Sequence, residues 1–191
     1  MPKLIGLHGW GGSGKDAAAQ FLVEQGWERR AFADPLRDLA LAADPIVSVD
    51  KKWIFDDGTD NENEVDGWRY SDSIKYYGYD EAKNHDDFRG FLQRLGDGAR
   101  ATFGANFWVE QATARIFTDT VWTDVRYSNE GQAIRDLGGM VIKIERPGVG
   151  PANDFEAKEH SMEGFDFDVE LMNSGTLDDL RSTILTIAED A

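Results

Sequence analysis

The run Gly9-Trp10-Gly11-Gly12-Ser13-Gly14-Lys15 constrains the fold more than any other segment, because glycines at this density fix where a strand must stop and a helix begin. Before it, Lys3 to His8 is a short apolar run; after it, Lys15 to Glu24 is Ala-rich and helix-prone. The segment therefore reads as strand, glycine loop, helix, and it fits G-x-x-x-x-G-K in the context that motif needs. Backbone N–H groups of such a loop can wrap phosphate oxygens, the helix dipole favours an anion, and Lys15 adds a mobile point charge. A glycine turn without a ligand would have no use for Lys15 at the end of a helix that repels cations.

The residue after the lysine is Asp16, where the motif carries Ser or Thr. Its carboxylate could ligate Mg²⁺ directly or through water, or could simply complement the positive end of the first helix. The same glycines also satisfy a dinucleotide fingerprint, Gly9-x-Gly11-x-x-Gly14, with Asp34 lying 20 residues beyond Gly14 where a ribose-binding acid would sit. Against that NAD-type alternative stand Lys15, which completes the phosphate loop, and Pro35, which gives Asp34 a local role as helix N-cap.

Further along, Trp27 to Ala33 reads as a second strand and Asp34 to about Ala43 as a helix. Asp44 to Asp87 is rich in Asp, Asn, Gly and Tyr with little apolar periodicity, which predicts a partly helical surface insert rather than a core segment. Phe88, Phe91, Leu92 and Leu95 recur at helical spacing within Asp86 to Phe103, and Asn106 can cap a helix through about Phe117. Thr120 to Val125 predicts a third strand, Ser128 to Leu137 a helix ended by Gly138-Gly139, and Met140 to Glu145 a fourth strand. After a loop at 146–165 come a strand near Phe167 to Met172, a turn at Asn173-Ser174-Gly175, and a closing helix with Thr176 and Asp179 in capping-box spacing. This alternation predicts an α/β fold: a parallel sheet of about five strands with helices on both faces and ligands at the strands' carboxyl ends. The 191 residues suit one domain, with a core at 1–43 and 104–191 and an insert at approximately 44–103.

Charge bounds the partners. With 36 acidic against 20 basic residues, a formal charge of −16 argues against nucleic acid or an anionic membrane as partner, so any phosphate site must be local. The absence of cysteine excludes disulfides and thiolate chemistry, and His8, His85 and His160 lack zinc-ligand spacing. The apolar runs are too short for a signal sequence or membrane span, which reads as a soluble, intracellular protein. Locally, Arg37 stands in the first turn of the second helix, where a cation opposes the dipole unless an anion is nearby. Arg126 follows the third strand at the carboxyl edge of the sheet, and the two arginines read as facing one cleft. Arg89, Gln93 and Arg100 lie on the helix before that strand, and Arg146 opens the late loop.

These residues together resemble phage deoxynucleoside monophosphate kinases, a branch of the P-loop nucleoside monophosphate kinase group. The resemblance runs through Gly9 to Asp16, Phe32-Ala33-Asp34-Pro35-Leu36, Leu92-Gln93-Arg94-Leu95-Gly96 with Arg100, Phe107-Trp108-Val109, Asp124-Val125-Arg126-Tyr127-Ser128-Asn129-Glu130 and Asn173-Ser174-Gly175-Thr176-Leu177. His160-Ser161-Met162-Glu163 matches loosely, and Asp97 replaces an expected small hydroxyl residue. The resemblance implies a P-loop NTPase three-layer sandwich whose insert binds the nucleoside monophosphate and whose loop at about 146–165, with Arg146, forms a short lid.

It also implies an enzyme, cytoplasmic (in the host if phage-encoded) and homodimeric, that moves the γ-phosphoryl group of ATP with Mg²⁺ onto small-molecule deoxynucleoside monophosphates. Lys15, Arg37 and Arg126 would then be catalytic. Gly9, Gly11, Gly12, Ser13, Gly14, Lys15, Asp16, Asn173 and Gly175 would hold ATP, with Asn173 to Thr176 bordering adenine or forming only a capped turn. Asp34, Arg37, Trp68, Arg89, Gln93, Arg100, Arg126, Asn129 and Glu130 would meet the acceptor. Trp68, Tyr70, Tyr76 and Tyr77 could stack a base or anchor their own loop. Asp16 and Asp124 would serve the metal, Asp124 alternatively orienting Arg126 or capping its loop. The readings left beside this one are a P-loop kinase for another small phosphorylated acceptor, an NAD-type protein and a non-catalytic nucleotide sensor.

Overall fold

In the computed structural model, which describes residues 1–50, 66–151, 162 and 164–191, β1 (Leu4–His8) is buried along all five of its residues. A strand buried on both faces belongs in the middle of a covered parallel sheet, and that is its place. β1 pairs in parallel with β5 (Thr120–Trp122) on one side and β6 (Met140–Glu145) on the other. β2 (Glu28–Arg30) and β7 (Val169–Met172) form the edges, giving the order β2-β5-β1-β6-β7 with every pairing parallel.

The period of two along each strand sorts the core into two layers. Ile5, Leu7, Val121, Ile142, Ile144 and Leu171 face α1 (Lys15–Val23) and the closing helix α8 (Leu177–Glu189) through Ala18, Leu22, Leu180 and Ile184. Leu4, Trp122 and Val141 face the opposite way, onto Ile134 of α7 (Ser128–Asp136) and Val109 and Ala112 of α6 (Phe107–Ala112). Gly6 shares that second face, where a Cβ would sit 2.5 Å from Ile134 Cδ1 and 2.9 Å from Val125 Cγ2, so its hydrogen is what lets α7 approach β1. Among the described residues no helix is long and apolar enough to cross a membrane.

The strand order bears on the dinucleotide alternative. In the dinucleotide-binding fold the second strand lies beside the first, so that its terminal acid reaches the ribose of a cofactor at the first βα turn. Here β5 stands between β1 and β2. Asp34 also differs from the expected N-cap. It is the first residue of α2 (Asp34–Ala43), and its carboxylate reaches back to accept the Ala31 N–H at 2.7 Å. β2 ends at Arg30, short of the expected Ala33, because residues 31–33 turn: Asp34 N–H donates to Ala31 C=O, and Asp124 accepts from Phe32 N–H at 2.8 Å and Ala33 N–H at 3.4 Å. α6 stops at Ala112, before the expected Phe117, and Arg115 then takes a left-handed φ of 56°.

The chain divides into two compact units, Met1–Asp34 with Trp108–Ala191, and Pro35–Phe107. The second unit contains an antiparallel hairpin that the sequence did not reveal, β3 (Ile46–Asp50) with β4 (Asp66–Arg69), followed by α3 (Tyr70–Tyr77), α4 (Tyr79–Ala82) and α5 (Asp86–Phe103). It also corrects the reading of Asp44 to Asp87 as lacking core: Val47, Tyr70 and Ala82 are buried with Ala40, Phe88 and Leu92, and Tyr70 stacks on Phe88 at 4.8 Å. Its apolar residues are spread over short strands and helices, so no single period exposes them in the sequence. The middle of that insert, most of the late loop with His160, Ser161 and Glu163, and the lid reading attached to it lie outside the described residues.

Candidate phosphate-binding site

The glycine loop lies at the carboxyl end of β1 and runs into the N-terminus of α1, the nine-residue helix that begins at Lys15. Gly9, Gly12 and Gly14 have φ of 155°, 82° and 108°, values that side-chain-bearing residues rarely adopt. A turn closes inside the loop, with Ser13 N–H donating to Trp10 C=O at 3.1 Å, and Lys15 Nζ donates to the same carbonyl at 3.2 Å. Ser13 is 1% exposed, and its Oγ is buried with no hydrogen-bond partner among the described residues. Such an orphaned hydroxyl costs free energy unless something else completes it. A helix N-terminus, a left-handed glycine turn, an orphaned buried donor and a lysine together form a cradle that fits a polyphosphate.

Asn173, at the end of β7, joins this loop directly. Its backbone N–H donates to Glu145 C=O at 2.7 Å, which extends the β6–β7 ladder, and its side-chain Nδ2 donates to Ser13 C=O at 2.9 Å. Gly175 and Thr176 form the capped turn: Asp179 Oδ2 accepts from Thr176 N–H at 2.8 Å, and Thr176 Oγ1 accepts from Asp179 N–H at 3.2 Å.

Val125 N–H donates to Leu7 C=O at 3.3 Å and Val125 C=O accepts from His8 Nδ1 at 2.8 Å, which brings the Asp124–Arg126 segment alongside the start of the glycine loop. Burial holds His8 below the ordinary imidazole range, so it is a neutral donor packed against Phe167 rather than a charged group. Asp124 spends its carboxylate on the Phe32 and Ala33 N–H groups. Arg126 and Asn129 are exposed, whereas Glu130 is 8% exposed and caps the loop from inside, accepting Arg126 N–H at 2.7 Å and Tyr127 N–H at 3.1 Å on one oxygen. Burial pushes the Glu130 carboxyl up to about 8, with Asp124 nearby adding to the effect and the two N–H groups opposing it.

Asp16 is exposed and pairs with Arg29 of β2 at 3.1 Å; the same Arg29 nitrogen lies 3.5 Å from Thr123 Oγ1. Nothing in the sequence Glu28-Arg29-Arg30 separates the arginine that reaches the loop from its neighbour. Among the described residues, no three His, Cys, Asp or Glu side chains converge as a metal cage. A magnesium ion there would draw most of its ligands from phosphate and water, which is its habit at nucleotide sites.

In the second unit, Arg37 Nε donates to Tyr79 Oη at 3.1 Å and its guanidinium lies 4.7 Å from the Tyr79 ring centroid, a pairing across 42 residues that no local pattern announces. Arg89, Gln93 and Arg100 lie along one exposed face of α5; Arg89 Nε donates to Lys83 C=O at 3.1 Å, and Arg100 pairs with Asp97 at 2.6 Å. Trp68 packs edge-on to Tyr76 at 5.3 Å and beside Tyr77 at 5.7 Å, and lines a cavity of about 420 Å³ with Tyr77, His85, Asp86 and Phe88. Arg146 is exposed at the start of the loop after β6.

The five-stranded parallel sheet, its helices on both faces and the glycine loop after β1 define an α/β protein built like a P-loop kinase. No protein-family model matches the chain. It is 29% identical over 194 residues, 98% of this chain and 97% of the other, to a protein of Acanthamoeba polyphaga mimivirus named "Putative deoxynucleotide monophosphate kinase".

Proposed function

We propose that this protein is a nucleotide kinase that transfers the γ-phosphoryl group of ATP to deoxynucleoside monophosphates. The observation that carries the reading is the cradle at the end of β1: Gly14 in a left-handed conformation at the helix N-terminus, Ser13 Oγ buried without a partner among the described residues, and Lys15 beside both. The full-length similarity to a protein named for this activity supports the substrate class.

Mg-ATP, when bound, supplies the transferable group and a divalent charge. The chain's own part is binding and charge placement. Loop N–H groups and Lys15 would hold phosphate oxygens, and Asp16 would hold the metal at little cost in lost pairing, since its exposed pair with Arg29 is of a kind that contributes about 0–1 kcal/mol. Arg126 stabilises the charge that spreads over the transferred group, and Arg37, in the unit Pro35–Phe107, binds the phosphate of the acceptor. The acceptor is a phosphate oxygen whose second pKa is about 6, so it is ionised at neutral pH and no general base is needed. That agrees with the imidazole beside the loop, His8, being one that burial disfavours in its charged form. Trp68, Arg89, Gln93 and Arg100 in the unit Pro35–Phe107, with Asp34 and Asn129, serve the acceptor; Asn173 and Gly175 serve the ATP side; Arg146 belongs to the lid. The domain reading is one catalytic domain carrying a monophosphate-binding insert.

The test is ADP release from Mg-ATP with dAMP, dGMP, dCMP, dTMP and GMP against a no-acceptor control. Turnover with deoxynucleotides above the control supports the assignment. ATP binding without turnover on any of them contradicts the substrate and leaves another small phosphorylated acceptor or a nucleotide sensor.

A further inference from the structure

Asn173 and the glycine loop are 160 residues apart in sequence, yet their atoms are fitted to each other. Asn173 Nδ2 donates to Ser13 C=O at 2.9 Å, and the amide carbon lies 3.5 Å from the point where a Cβ on Gly14 would stand. The amide therefore occupies the space that the missing side chain of Gly14 leaves open. Its backbone is rigid, tied to Glu145 C=O at 2.7 Å at the end of the β6–β7 ladder. Ser13 C=O, in turn, belongs to the peptide whose N–H is that of Gly14, so a bond to this carbonyl fixes the direction in which a loop N–H points.

We propose that Asn173 is a positioning residue for the phosphate loop: it acts on phosphate binding through Ser13 and Gly14 and makes no contribution through the nucleobase. This rests on the phosphate-loop reading given above and replaces the simpler idea that the Asn173 turn meets adenine. A donor held on a strand end orients the loop before any anion arrives, which lowers the ordering cost of binding. The consequence is independence from the base. Whatever nucleotide is bound, the same loop peptide is braced.

The experiment compares wild type with Asn173→Leu, which keeps the shape and loses the donor, and with Asn173→Ala as a second variant should the first fold poorly. Calorimetric Kd values are measured for Mg-ATP, Mg-GTP and Mg-tripolyphosphate. The expected result is a loss of about tenfold, the scale of one hydrogen bond, and equal for all three ligands. The KM for the acceptor should be unchanged while that for ATP rises. In ligand-free protein, the amide resonances of Gly14 and Lys15 should also shift in the variants, which a residue touching only the base would not cause. A loss confined to ATP, with tripolyphosphate binding intact, would overturn the brace in favour of base contact. Unchanged affinity for all three would overturn it outright. Wild-type protein that binds none of the three would instead remove the phosphate-loop reading itself.

Discussion

Glu130 Oε2 accepts the backbone N–H of Arg126 at 2.7 Å from a position 8% exposed to solvent, so a buried carboxyl sets the backbone from which an exposed arginine projects. Its pKa of about 8, against 4.5 in the unfolded chain, gives this contact a pH dependence. Between those values the folded state holds a proton that the unfolded state has released. The group's contribution to stability is therefore complete below about 4.5 and is lost as pH rises through about 8. Glu130→Gln stays neutral throughout. In denaturant titrations from pH 5 to 8.5 the variant should gain on wild type as pH rises, by at most about 1.4 kcal/mol per unit. Parallel curves would contradict the buried neutral carboxyl.

Asp124 holds residues 32 and 33 through two backbone N–H groups. Asp124→Ala leaves both donors without that acceptor and should destabilise by about 1–3 kcal/mol, lowering Tm by roughly 2–4 °C per kcal/mol for a chain of this size. Asp124→Asn keeps one acceptor oxygen and should lose less. Differential scanning calorimetry checks the order; an unchanged Tm in the alanine variant would refute the bracing role.

Tyr70 is 1% exposed and its hydroxyl has no hydrogen-bond partner among the described residues. Burial pushes its pKa up to about 12, so it stays un-ionised. Removing an unsatisfied hydroxyl while keeping the ring on Phe88 should be neutral or stabilising by about 1 kcal/mol. Thermal unfolding of Tyr70→Phe measures this, and a clear loss of Tm would mean that the hydroxyl is satisfied.

Asp16 tests the metal reading. Asp16→Asn should raise the Mg²⁺ concentration for half-maximal turnover several-fold while leaving Tm within a degree or two, because its pair with Arg29 is exposed and weak. Superimposable Mg²⁺ titrations would leave Asp16 only the role of complementing the helix dipole.

The core strands were legible because their signals are local. Lys3–His8 runs into Gly9 and Met140–Glu145 follows Gly138-Gly139, and β1 and β6 fall on these short, mainly apolar runs. Thr176 and Asp179 announced their helix for the same reason, since a capping box lies within four residues. What the sequence concealed is what depends on partners far away. The strands of the β3–β4 hairpin are separated by residues 51–65, too far apart in sequence for a tight turn to announce their pairing, Arg29 reaches Asp16 only once β2 lies in the sheet, and Asn173 meets Ser13 only once β7 closes its edge. The resemblance sets Glu130 among the residues that meet the acceptor, while the burial that changes its chemistry is a property of the packed loop and not of its neighbours in sequence.

The most direct test of phosphoryl transfer is ³¹P NMR of the protein with Mg-ATP and each deoxynucleoside monophosphate, run beside Lys15→Ala. The expected result is stoichiometric appearance of ADP and deoxynucleoside diphosphate resonances with wild type, and a rate lower by two or more orders of magnitude in a variant that remains folded, since Lys15 acts as a point charge on the transferring group. Inorganic phosphate as the only new product, no turnover with any deoxynucleotide, or a folded Lys15→Ala protein with normal turnover would contradict it.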